Sequence, residues 1–131
     1  MLNNLVDSAE TLNIPMARKV LEHLRAHPEE HDQDVFAVRG TACGTRACIA
    51  GTALLMDPRT IVHWLRTEVG ELVGKVFVDG HPVDLIDRAA EVLGLSDHDA
   101  VSLFFTCDNA SALTMLAGAI EDAEQVQAGA L

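Results

Sequence analysis

Apolar residues recur at spacings of three and four along most of this chain, the period of a helix with one buried face. The first clear case starts at Asn13-Ile14-Pro15, where an Asn near the cap and a Pro in the first turn mark an N-terminus. Met16, Val20, Leu21 and Leu24 then share a stripe that excludes Arg18, Lys19, Glu22 and Arg25, and His27-Pro28 stops the helix near Ala26. Residues 1–12 hold Leu2, Leu5, Val6 and Leu12 and are expected to form a frayed helix or flexible arm. Residues 29–34 read EEHDQD, a polar loop, and Val35 to Val38 is a short strand or extended segment. Gly40 to Thr45 is expected to be loop.

From Arg46 the sequence RACIAGTALLM is apolar nearly all round, which suits a short helix enclosed by others. Gly51 within it would let neighbouring backbone approach closely. Asp57-Pro58 repeats the cap-then-proline signal, and Ile61, Trp64, Leu65, Val69 and Leu72 follow at helical spacing, so a further helix is expected there. KVFVDGHPV then reads as a hairpin over residues ~75–83, turning at Asp79-Gly80, with Pro82 confining the second strand to an edge.

Leu85, Ile86, Ala89, Ala90 and Leu93 define a helix closed by Gly94 in the left-handed cap position, with Leu95 folding back. Ser96 and Asp99 resemble a capping box for a helix carrying Ala100, Val101, Phe104 and Phe105. Asp108 or Asn109 caps the last helix, whose inward stripe is Leu113, Leu116, Ile120 and Ala123, with residues 125–131 fraying. The pattern predicts a single, mainly α domain: a compact bundle of about five or six helices with one small β-hairpin.

Charge narrows the function classes. The 131 residues carry nine Lys and Arg against twenty Asp and Glu, a net charge of −11. All nine basic residues fall between Arg18 and Arg88, whereas the last 43 residues hold seven acids and no Lys or Arg. A helix-turn-helix outline over Leu85 to Phe105 would present Asp97, His98 and Asp99 to phosphates, so DNA binding is not expected. No apolar run approaches the roughly 18 residues of a membrane span. A cytoplasmic protein is therefore expected, with no membrane or direct nucleic-acid contact, and its acidic half reads as a solvated face or a docking surface for a basic partner.

The one compact motif is GTACGTRACIAG over Gly40 to Gly51. Thr45 is expected to cap the helix after the turn at Gly44, placing Cys48 in the first helical turn, where exposed amides favour a thiolate. Cys43 lies across that turn. Four readings are open: thiols packed as small hydrophobes, a disulfide or redox pair, two ligands of a metal site, or an anion held by Thr45, Arg46 and helix amides. A zinc site would need two further ligands from His27, His31, His63, His81, His98 or Cys107, and none of these has finger-like spacing. A Cys48 nucleophile with His63 as base requires spatial proximity that spacing does not supply. His23, His27 and His31 recur every fourth residue, although Pro28 interrupts their helix.

Cys43, Gly44, Thr45, Cys48, Ala50 and Gly51 match the pattern C-G-T-x-x-C-x-A-G, and Leu93-Gly94-Leu95 with Leu103-Phe104 match an L-G-L, acidic loop, L-F pattern. In these residues the chain resembles a group of small uncharacterised proteins of actinobacteria and their phages. The resemblance implies a phage or prophage origin and no chemistry. The reading is of a non-enzymatic acidic protein without a cofactor, acting through protein–protein contacts and modulating a host or phage protein. The alternative is a cysteine-based metal-binding or redox protein using Cys43 and Cys48.

Overall fold

A computed structural model describes residues 8–31, 37–40, 44–66, 72–105 and 108–129, with backbone alone for 37–40, 44–47, 66 and 72–74. In chain order the elements are α1 (Ile14–Ala26), a 3-10 turn (Pro28–Glu30), β1 (Ala37–Gly40), β2 (Gly44–Ala47), α2 (Ile49–Met56), β3 (Thr60–Arg66), β4 (Leu72–Val78), β5 (His81–Pro82), α3 (Leu85–Leu93), α4 (Asp97–Phe104) and α5 (Asn109–Ala128). Helices hold most of the regular structure, so the mainly α reading stands. The sheet is larger than the expected hairpin.

Three helix ends follow the residues that punctuate them. Asn13 caps α1, its Oδ1 accepting from the Met16 amide, and Asp108 caps α5 by accepting from the Ser111 amide at 2.7 Å. Gly94 adopts φ +73°, and the Leu95 amide reaches back to the Ala90 carbonyl, closing α3 as a Schellman motif. A Cβ at Gly94 would stand 2.1 Å from the Thr11 carbonyl oxygen, so close approach as well as φ requires glycine.

That approach comes from a segment expected to be loose. Residues 8–12 form a turn that buries Leu12 and lies over the end of α3: Asn13 donates its amide to the Leu93 carbonyl, and Thr11 its hydroxyl to the Gly94 carbonyl. The Ser8 hydroxyl donates to Asp99 at 2.6 Å and accepts from the Ser96 amide at 2.9 Å. Ser96 accepts the Asp99 amide, as the capping box requires, but the return contact from Asp99 runs through Ser8. Residues 1–7 lie outside the described structure. At the other terminus α5 continues to Ala128, past the expected fraying point at Gln125, and the Gln127 amide holds the Leu12 and Ala9 carbonyls.

The larger correction concerns residues 60–66, expected to be helical and found as strand β3. Asp57 closes α2 instead of opening a new helix, its amide donating to Ala53, and the Thr60 amide then turns back to the Asp57 carbonyl. Pro58 thus serves a turn. Thr60, Val62 and Trp64 alternate with the exposed Ile61, His63 and Leu65, a period of two. Ile61, Trp64 and Leu65 mimic helical spacing only because they come from both faces of the strand.

The strands run antiparallel in the order β2-β1-β4-β3, with β5 also paired to β4. β3 matches β4 over its whole length, Thr60 opposite Val78 through Arg66 opposite Leu72, while β1 and β5 pair with opposite ends of β4. The predicted hairpin is present between β4 and β5: Asp79 and Gly80 have φ +52° and +82°, the signs of a two-residue I′ turn. The core sits between the helices and one sheet face, with Val20, Leu24, Ile49, Leu54, Leu93, Leu103 and Leu116 fully buried and Val76 contributed by the sheet.

Candidate functional site

The cysteine motif takes a different local form from the expected one. Gly44 and Thr45 lie in β2, paired with Gly40 and Arg39, so Thr45 is not a helix cap. Cys48 is the N-cap, its Sγ accepting from the Gly51 amide at 3.4 Å while its carbonyl accepts the Thr52 amide and hydroxyl. Cys48 is buried, as are all residues from Ile49 to Leu54. The sulfur stands where a cap oxygen usually does, at the start of a helix whose first six residues are buried, a geometry in keeping with the packing reading of Cys48. Gly51 is buried in the same turn. Cys43 and Cys107 lie outside the described residues, and the disulfide and metal readings that need them go with them.

His63 is exposed on β3, stacked against Phe77 with ring centroids 4.6 Å apart, whereas Cys48 is buried at the start of α2. His31 is buried at the end of the 3-10 turn, where its carbonyl accepts from the Asn109 side chain at 2.8 Å. His81 and His98 are exposed on β5 and α4.

Sequence reasoning missed a charged cluster beside an open surface cleft of about 440 Å³ lined by Asn13, Asp57, Arg59, Arg88, Glu91 and apolar neighbours. Arg88 on α3 donates to Asp57 at 2.7 Å and to the Thr60 hydroxyl at 3.1 Å, and also pairs with Glu91. Thr60 in turn donates to Asp57. Burial alone would raise the Asp57 carboxyl and lower the Arg88 guanidinium. Hydrogen bonds and charge outweigh it, holding Asp57 below the ordinary carboxylate value and Arg88 above its own. With both side chains nearly covered and the guanidinium shared among three acceptors, the cluster ties the end of α2 and the start of β3 to α3.

Two further surfaces stand out. β3 is the outermost strand of the sheet, and among the described residues β4 is its one strand partner. Its outer face exposes Ile61 at 49% and Leu65 at 47% beside Lys75 and the half-buried Phe77. Second, His23, His27, Glu29 and Glu30 gather where α1 meets the 3-10 turn.

The acidic half offers less free charge than its composition suggests. Asp99 is buried beneath Ser8, and Glu124 on α5 pairs with Arg18 on α1. Among the described residues, no helix is long and apolar enough to cross a membrane. Comparison with protein-family models, with curated proteins and with solved structures finds no match for this chain.

Proposed function

We propose that this chain acts through contact with another protein and not through catalysis, and that the contact is made by β3, whose one strand partner among the described residues is β4. The observation that carries the reading is a seven-residue edge strand with two exposed aliphatic side chains on one face. Natural sheets usually blunt such an edge with proline, charge or a covering element, because its unpaired amides and carbonyls template another strand. Here β3 contains no proline, and its one Lys or Arg is Arg66 at the last position. An extended segment of the partner would add its backbone to β3 and set alternate apolar side chains against Ile61 and Leu65. Lys75, exposed on the same face opposite His63, favours an acidic residue in that segment. The acidic C-terminal helices then keep the protein soluble in a cytoplasm, consistent with the phage or prophage origin that the cysteine motif implies.

The test compares wild type with an Ile61→Lys, Leu65→Lys variant as bait in a lysate of the native cell. The expected result is a stoichiometric partner retained by the wild type and lost by a variant of unchanged melting temperature. A partner retained equally by both would remove β3 from the account, and substrate turnover by the purified chain would remove the non-enzymatic reading.

A further inference from the structure

The turn after α1 brings imidazole and carboxylate together with the spacing of a metal site. His27 Nδ1 lies 3.5 Å from Glu29 Oε2 and 3.6 Å from Glu30 Oε2, and the three ligand atoms fall within 4.8 Å of one another. A tetrahedral zinc ion, with bonds of 2.0–2.1 Å to nitrogen and oxygen, holds its ligand atoms about 3.4 Å apart. Two of the three edges are therefore already close to that length.

The surroundings favour a cation. His27 is the C-cap of α1, so the negative end of the helix dipole points at the cluster. Glu30 offers Oε2 to this group, while its Oε1 is held by His23 Nε2 at 2.8 Å; an outer hydrogen bond of this kind orients a ligating carboxylate. The His23 and His27 rings lie 4.9 Å apart, one helical turn from each other. The turn itself is pinned: the Glu30 amide donates to the His27 carbonyl, the His31 amide to Pro28, and Asn109 of α5 to the His31 carbonyl. One nitrogen and two oxygens suit a borderline divalent ion better than a purely oxygen-loving one.

We infer that His27, Glu29 and Glu30 form a zinc-type divalent-cation site at the C-terminal end of α1, with His23 as the residue that positions Glu30. Solvent completes the coordination, since His27 and Glu29 are exposed. The site is separate from the cysteine motif and uses no thiol.

Calorimetric titration of the full chain with ZnCl2 tests the inference, with MgCl2 as the oxygen-preferring comparison and Co²⁺ absorption reporting the ligand type. The expected result is one zinc per chain and much weaker magnesium binding. His27→Ala and Glu30→Gln should each weaken zinc binding by about tenfold or more, and His23→Ala by a smaller factor. His98→Ala, on the exposed face of α4, should leave binding unchanged, and the cobalt spectrum should lack a thiolate charge-transfer band. Absence of saturable zinc binding would overturn the site and leave the cluster as hydrogen-bonded His–Glu pairs. So would equal binding by the His27 and Glu30 variants, magnesium binding as tight as zinc, or a thiolate band.

Discussion

The helices and the sheet of this small protein divide its apolar residues very differently. α2 buries six consecutive residues, Ile49 to Leu54, because α1 and α3, β2 and β3 surround it. β3, which follows after a single turn, buries Thr60, half-covers Val62 and Trp64, and leaves Ile61 and Leu65 about half exposed. Both segments are rich in apolar residues, but the number of neighbours each can have differs. An enclosed helix can be apolar on every side, whereas an edge strand covers one face and leaves its flank unpaired. The first segment therefore carries stability, and the second meets solvent at Ile61 and Leu65.

The largest expected effect lies in the enclosed helix. Leu54→Ala removes a fully buried side chain and should lower stability by about 2–5 kcal/mol in denaturant unfolding. A cost below about 1 kcal/mol would show that α2 is not the centre of the core.

Gly94→Ala comes next, because it forces a left-handed φ on a residue with a Cβ and drives that atom into the Thr11 carbonyl. A loss of roughly 2–3 kcal/mol is expected, with hydrogen exchange accelerated in residues 8–13. Unchanged exchange there would separate the clamp from the helix it covers.

At the junction of the two regions, Asp57→Asn should cost about 1–3 kcal/mol at neutral pH by weakening the hold on Arg88. Asp57 has a lowered folded-state pKa, so its contribution is present above the ordinary carboxylate value and is lost as pH falls through the lower folded value. Wild type should accordingly lose stability below about pH 4 more steeply than the variant. Parallel acid limbs would remove Asp57 from that transition.

The smallest effect on stability is expected in the sheet. Ile61→Lys and Leu65→Lys should each stay within about 0.5 kcal/mol of wild type in melting experiments, since both side chains already meet solvent. A large loss would mean that this face packs against something and is not available for contact.

The helices were legible because their punctuation is local. Asn13-Ile14-Pro15, Gly94-Leu95 and Asp108 each act within one turn of where they stand, and the Asp79-Gly80 hairpin turn needs only its own two residues. β3 is harder to read because Asp57-Pro58 is a cap signal in one context and a turn in another, and the Asp57 side chain is held by Arg88, 31 residues away, which local spacing does not show. The run Thr60-Ile61-Val62 carried the contrary signal, since β-branched residues fit a pleated strand better than a helix. The site was less legible still. A hydroxyl is the common capping group and so points to Thr45, whereas the Cys48 sulfur takes that role. His23 and His27 stack one turn apart despite Pro28, and Glu29 and Glu30 join them only through the 3-10 turn that Pro28 opens. His31, next in the four-residue series, is carried into the interior toward α5.

Site-specific photo-crosslinking in the native cell tests the central claim most directly, with a photoreactive phenylalanine analogue placed at Ile61 and, as a control, at the exposed Glu121 of α5. A discrete light-dependent adduct with one other protein is expected from position 61 and none from position 121. Adducts from position 121 alone, or none from position 61 in a folded chain, would contradict it.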